Sequence, residues 1–245
     1  MKRFKRIIVI VTDSVGAGGA PDAERFGDEG ADTLKHIDEA VPGGLKIPNL
    51  RRLGWEKATH IHPEGVKIVG SYGRMREISN GKDTTSGHWE FMGNPVENPF
   101  PVFYDAFPQD LLDTFTKKTG HGWLGNEVAS GTEIIARLGP EHIQTKKPIV
   151  YTSADSVFQI AAHTDVIPLE ELYRICEVTR KEVCVGPYEV GRVIARPFVG
   201  EPGNFMRTGD RQDYSRLPER KMAFSYLKEK GYEVIGVGKI GDIYA

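Results

Sequence analysis

Between Gly81 and Gly93 the chain reads GKDTTSGHWEFMG, which sets the hydroxyls of Thr84, Thr85 and Ser86 between the carboxylate of Asp83 and the imidazole of His88. Two kinds of chemistry fit this row. Asp, Ser and Thr are favoured N-cap residues, because their oxygens accept from the unpaired N–H groups of a first helical turn. A full capping box does not fit, since His88 and Trp89 stand where Thr85 and Ser86 would need Glu or Gln. The other reading is a nucleophile at a helix N-terminus, where backbone amides and the helix dipole also attract phosphate. The stretch alone leaves both open.

Asp13 ends an apolar run, and in open α/β sheets ligands bind at the carboxyl ends of strands. A carboxylate there is a candidate for metal coordination or catalysis, and equally for capping a turn. The nearby glycines fail as a dinucleotide fingerprint, because Pro21 stands where GxGxxG needs its third glycine. Gly81-Lys82 fails as a P-loop, with Arg76 in place of the first glycine and Asp83 in place of Ser or Thr. The histidines form no HExxH, and His60-Ile-His62 reads as an incidental surface pair. Arg192, Arg196, Arg207 and Arg211 lie close together in sequence, and guanidinium forks suit phosphate. A solvated loop is the plainer reading of that cluster.

These residues need a scaffold, and its texture is α/β. The run Arg6–Asp13 is β-branched without polar alternation, as in a central strand buried on both faces. Strands are also predicted over Gly70–Ile78, Pro148–Asp155, Val157–Ala162, Gly191–Pro197 and Tyr232–Gly238. Helices are predicted over Pro48–Leu53, Gln109–Lys118, Gly131–Leu138, Leu169–Val183 and Lys221–Lys230, with a polar loop over Gly200–Arg216. Prolines 95, 99 and 101 mark a boundary. After Tyr232–Gly238 nothing follows to cover a fresh strand, so the core is expected to be incomplete on its C-terminal side.

The 245 residues are 39% hydrophobic and 27% charged, an ordinary globular composition. A net charge of −2 gives no electrostatic case for nucleic acid or an anionic membrane. No apolar run is long enough to span a bilayer. The basic start, Met1–Arg6, precedes a strand-sized apolar run with no small-residue cleavage pattern, so no signal peptide is expected. Cys176 and Cys184 form no CxxC and read as free thiols of a reducing cytoplasm.

Ile8–Gly18, Gly81–Glu90 with its DTTSGHWE core, Tyr151–His163 and Gly236–Ile243 together resemble the phosphopentomutase (phosphodeoxyribomutase) family of the alkaline phosphatase superfamily. The resemblance runs through the whole chain. It implies an isomerase that interconverts ribose or deoxyribose 1-phosphate and 5-phosphate, using two manganese ions and a phosphothreonine. The fold it implies is an α/β core with a mainly parallel sheet, interrupted by an α+β cap. On this chain residues 1–98 would be the first part of the core, 99–218 the cap, and 219–245 the start of the second core part.

By the same resemblance Thr85 is the phosphorylated residue, with Thr84 its rival, and Asp13 and Thr85 are metal ligands. A threonine hydroxyl needs a metal or base to act as a nucleophile at neutral pH. Ser153, Asp155, Val157, Arg192, Ile194, Arg207 and Lys239 would hold the sugar phosphate. The family's remaining metal ligands lie in a C-terminal segment absent from this sequence, which puts the chain's own turnover in question. A related metal-dependent phosphotransferase or phosphatase, or a sugar-phosphate-binding fragment without catalysis, are the alternatives.

Overall fold

A computed structural model of the protein describes residues 4–12 and 15–244; Asp13, predicted as a metal ligand, lies outside the described residues. The chain divides into two compact units, Met1–Glu77 and Ile78–Ala245.

Among its described residues the first unit holds a 3-10 turn at Ala23–Phe26 and the short α-helices α1 (Thr33–Ala40), α2 (Pro48–Leu53) and α3 (Trp55–Ala58). Asp32 caps α1 by accepting from Lys35 N at 3.3 Å. Proline at its first position and Gly54 at its end delimit α2 as predicted. The centre of this unit is a buried ion cluster. Arg51, 1% exposed, faces Glu56 at 3.4 Å, Glu64 at 3.5 Å and Asp38 at 3.7 Å, and donates to the carbonyls of His62 (2.6 Å) and Leu45 (3.3 Å).

The second unit is built from helices α4 (Thr84–Phe91), α5 (Gln109–Thr119), α6 (Gly131–Thr145), α7 (Leu169–Val178), α8 (Ala223–Glu229) and α9 (Ile240–Tyr244). They surround one sheet of β1 (Leu124–Val128), β2 (Ile149–Thr152), β3 (Val157–His163), β4 (Arg192–Val199), β5 (Met206–Arg207) and β6 (Gln212–Ser215). The fold is thus mixed α/β. Strand order is β1-β2-β3-β4-β5, with β6 also on β4. Parallel pairing joins β1 to β2 and, over seven residue pairs, β3 to β4; the other pairings are antiparallel.

Alternation along these strands sends side chains to opposite faces. Val150, Phe158, Ile160, Ala162, Val193 and Ala195 share one core with Leu111, Leu112 and Phe115 of α5 and Leu172, Ile175 and Cys176 of α7. On the opposite face, Ile149, Tyr151, Ala161 and Phe198 pack with Ile134 and Ile135 of α6. Both cysteines are free and buried, as predicted.

The helix α7 is pinned at the surface by Glu171, which accepts from Arg174 (2.7 Å) and meets His121 at 2.8 Å. The Arg174 bonds, with help from His121 and against partial burial, lower the Glu171 pKa from 4.5 to about 2. A depressed carboxylate pKa means stability that is present above the unfolded value and is lost as pH falls. Glu171→Gln is therefore expected to be less stable than the parent near neutrality, with the two converging between pH 4.5 and about 2. Parallel stability curves through that window, measured by urea unfolding, would show that the pair contributes nothing.

Three predicted strands do not form among the described residues. Arg6–Thr12, the described part of the N-terminal run, pairs with no described strand, and Ile8 is 73% exposed. Tyr232–Gly238 is likewise without a ladder, with Val237 79% exposed. A β-branched run becomes a buried strand only where neighbours take up its N–H and C=O groups and cover its faces. No described strand does so here. Gly70–Ile78 is instead held by side chains, Arg74 donating to Ala58 O and meeting His60 Nε2, both at 2.7 Å. The predicted loop Gly200–Arg216 does contain structure, because β5 and β6 pair with opposite ends of β4.

Candidate functional site

The hydroxyl row opens α4, and Asp83 is its cap. Asp83 Oδ1 accepts from Thr85 N (2.9 Å) and Ser86 N (3.0 Å), while Oδ2 takes Ser86 Oγ at 2.6 Å. His88 Nδ1 meets the Thr84 carbonyl at 2.7 Å. Of the three hydroxyls, Thr85 stands apart. It is fully buried, and its Oγ1 has no hydrogen-bond partner among the described residues. Leaving a buried hydroxyl unsatisfied costs about 1–3 kcal/mol. Thr84, the rival nucleophile, is only half-buried.

The wall over Thr85 is the turn into β4. A methyl group at Gly191 would lie in ordinary contact with Thr85 Oγ1 at 3.5 Å and tightly, at 3.3 Å, against both Phe100 Cδ2 and Ser156 O, so the turn packs closely over the threonine. Ser156 Oγ fastens the turn, accepting from Gly191 N at 3.0 Å and donating to Pro101 O at 2.6 Å. Trp89, Val96, Phe100 and Met222 pack around the same helix.

One residue on, Arg192 begins β4, 5% exposed. Its guanidinium donates to Asp213 Oδ2 at 3.0 Å and stands 3.6 Å from Asp155. Asp213 is also gripped by Arg211, at 2.6 Å from Nε and 2.5 Å from Nη2. Arg192 is thus held in place, with much of its charge compensated by carboxylates. Register places Val157 opposite Arg192, and Ile194 between Gln159 and Asp213, so these side chains share one face. Both Val157 and Ile194 are buried. Ser153 Oγ accepts from Asp155 N at 3.4 Å in the turn between β2 and β3, and the Asp155 side chain is about half exposed.

Lys239 lies exposed just before α9, its carbonyl accepting from Ile243 N at 3.1 Å. The helix that follows ties α4 to the sheet. Trp89 Nε1 donates to Ile243 O at 3.2 Å, Tyr244 OH to His88 O, and Ser215 Oγ to Asp242 O. Burial and the neighbouring Asp213 raise the Asp242 pKa, against the pull of Arg211.

The Arg207 backbone pairs with Phe198, six residues along β4 from Arg192, and a methyl group at Gly131 would lie 3.4 Å from its Nη1 and 2.7 Å from the hydroxyl of Tyr151, which pairs with Gln159 opposite Ile194. The structure brings Asp155, Val157, Arg192 and Ile194 together, with Thr85 beneath the adjoining Gly191. Asp213, which orients Arg192, was hidden in the supposed loop; an acid two residues after Arg211 is its only trace in the sequence.

The donor set for a metal is not complete here. Among the described residues no group of three or more His, Cys, Asp or Glu side chains could hold an ion. The ring nitrogens of His60 face Asp32 and Arg74. Thr85 Oγ1 is a single orphaned oxygen, so the described residues do not by themselves fit a two-metal centre. No helix among them is long and apolar enough to cross a membrane.

No protein-family model matches the chain. Curated relatives do. The chain is 55% identical over 247 residues to a phosphopentomutase of Carboxydothermus hydrogenoformans, covering 99% of this chain and 62% of that protein. It is 54% identical over 244 residues to one of Caldanaerobacter subterraneus and 56% over 245 to one of Desulfitobacterium hafniense, again over 99% of this chain. It spans about 62% of the length of these relatives. The resemblance read from DTTSGHWE and its companion segments thus extends through nearly every residue.

Proposed function

We propose that this chain carries the phosphoryl-accepting threonine and the sugar-phosphate surface of a phosphopentomutase, an isomerase that interconverts (deoxy)ribose 1-phosphate and 5-phosphate. One observation carries the reading: in a chain 54–56% identical to phosphopentomutases, the Thr85 hydroxyl is buried and unpartnered at the capped start of α4. A buried hydroxyl without a partner calls for an explanation, and retention for chemistry is the one that the family motif around Thr85 favours.

In this reading phosphothreonine gives its phosphoryl group to the free hydroxyl of a bound pentose phosphate, and the freed threonine then takes the sugar's original phosphoryl group from the other end, which restores the phosphothreonine and leaves the isomer. The Gly191 and Phe100 wall must part from Thr85 for that transfer, because Oγ1 is enclosed. Arg192, aimed by Asp213, and Asp155 face the sugar, with Val157 and Ile194 as the apolar floor and Lys239 and Arg207 at its margins. The reading includes a divalent metal, manganese with two ions, to activate the threonine oxygen and polarise the phosphate. Asp13 and donors beyond the described residues would have to hold it. An alkaline phosphatase-like core divided at residues 98 and 218 by a cap, and a cytoplasmic setting, belong to the same proposal.

Calorimetric titration of the purified chain distinguishes this from a related phosphotransferase. Ribose 5-phosphate is expected to bind at least about tenfold more tightly than 3-phosphoglycerate, a difference of about 1.4 kcal/mol. The reverse order would sink the pentose reading.

A further inference from the structure

The cover over Thr85 is assembled from two pieces of chain that lie far apart in sequence. One is the turn at Gly191; the other carries Phe100 and Pro101, with the Phe100 ring packed against that turn. Ser156, 2% exposed just before β3, bonds to both. Its Oγ accepts from Gly191 N at 3.0 Å and donates to the Pro101 carbonyl at 2.6 Å. A serine hydroxyl has a single proton to donate, and here it is spent across the seam between the two pieces.

Other contacts hold each piece in place without that hydroxyl. Arg192 N donates to the Ser156 carbonyl at 3.2 Å, so the backbone keeps the turn beside β3. Trp89 meets the Phe100 ring edge-on at 5.6 Å between centroids. Arg216 spans the same seam, its N–H donating to Gly191 O at 2.9 Å and its guanidinium lying 5.5 Å from the Phe100 ring centroid. A ring contact tolerates sliding, whereas a hydrogen bond weakens steeply once its angle is lost. The Ser156 hydroxyl is therefore the stiff tie across the seam, and the chain stays folded without it. Thr85 Oγ1 is enclosed beneath, so neither water nor a phosphoryl donor reaches it while the seam is shut.

We infer that Ser156 is a positioning residue for Thr85: its hydroxyl latches the Gly191 turn to the Pro101 carbonyl, and release of that bond is the local movement that exposes the threonine oxygen. Ser156 itself touches no reacting atom. The part of the latch in phosphoryl transfer rests on the reading of Thr85 given above; the latch itself does not.

The test puts a thiol beneath the cover. The purified chain carrying Thr85→Cys, alone and together with Ser156→Ala or Ser156→Thr, is exposed to a maleimide, and peptide mass spectrometry locates the label. Cys176 and Cys184, both fully buried in the core against β3 and β4, report any wider opening in the same sample. Ser156→Ala is expected to speed labelling at position 85 about tenfold, the effect of one lost hydrogen bond on a local opening, with Cys176 and Cys184 unchanged. Ser156→Thr keeps the hydroxyl and is expected to label at the slow rate. In the chain with Thr85 intact, Ser156→Ala should also speed amide exchange at Arg192 and leave the middle of β3 unchanged. Equal labelling with and without the hydroxyl, or a threonine form as fast as the alanine one, overturns the latch. So does labelling of Cys176 and Cys184 that rises in step with position 85, because the opening is then global. If the latch behaves as expected and phosphopeptide mapping finds the phosphate on Thr84, the latch stands and the Thr85 reading falls.

Discussion

Thr85→Val is expected to leave the chain more stable and, on the function proposed above, unable to take a phosphoryl group. The substitution keeps the branched shape and removes the oxygen that has no partner among the described residues. Relief of that unsatisfied group should raise stability by about 1 kcal/mol, within the range that buried orphan groups cost. If Thr85 is the nucleophile proposed above, it has no substitute, so in a full-length enzyme that carries this segment phosphoryl transfer should fall by about a thousandfold or more. Thr85→Ser keeps a hydroxyl and should keep part of the activity. Urea unfolding checks the first half. A Thr85→Val protein that unfolds more easily than the parent would mean that Oγ1 already has a hydrogen-bond partner. Phosphopeptide mapping checks the second half, and phosphate found on Thr84 would transfer the role to its neighbour.

Arg51→Met carries the largest expected loss of stability. Arg51 compensates Glu56, Glu64 and Asp38 in a site where its own side chain is 1% exposed. Removing one partner of a buried ionic group leaves charge uncompensated and costs about 3–5 kcal/mol. Two backbone carbonyls, Leu45 and His62, lose their donor as well. Faster amide exchange across α2 and α3 should report the loss within Met1–Glu77. The double variant Arg51→Met, Glu56→Gln should recover part of it, because one stranded charge is removed. A loss below about 1 kcal/mol would place Arg51 among surface-like ion pairs.

What could be read in advance depended on how local the cause was. The helices α5, α6 and α7 and the strands β2, β3 and β4 carry their periodicity within themselves, and all six were legible. The strand β1 was missed because Gly125 and Asn126 take left-handed φ values of 89° and 69°, which breaks any alternation. β5 and β6 were missed because their strand character comes from pairing with β4 and not from their polar composition. The opposite error fell on Ile7–Val11 and Tyr232–Gly238, where composition promised strands and no described neighbour supplies a ladder. At the site, Thr85 was marked by its motif and Asp83 by its capping chemistry. Asp213 matters through its bond to Arg192, 21 positions away, and Gly191 through its approach to Thr85; beyond the acid placed two residues after Arg211, the sequence carries no trace of either.

The most direct measurement is made on a chimera in which this chain replaces the segment it matches in the Carboxydothermus hydrogenoformans phosphopentomutase, 62% of that protein. Phosphorus NMR in manganese buffer then follows ribose 1-phosphate. The chimera should produce ribose 5-phosphate at a rate within about tenfold of the relative's, a barrier difference under about 1.4 kcal/mol. Its Thr85→Val form should produce none. A folded chimera that binds ribose 5-phosphate yet converts no ribose 1-phosphate, or one that stays active without the Thr85 hydroxyl, would contradict the assignment.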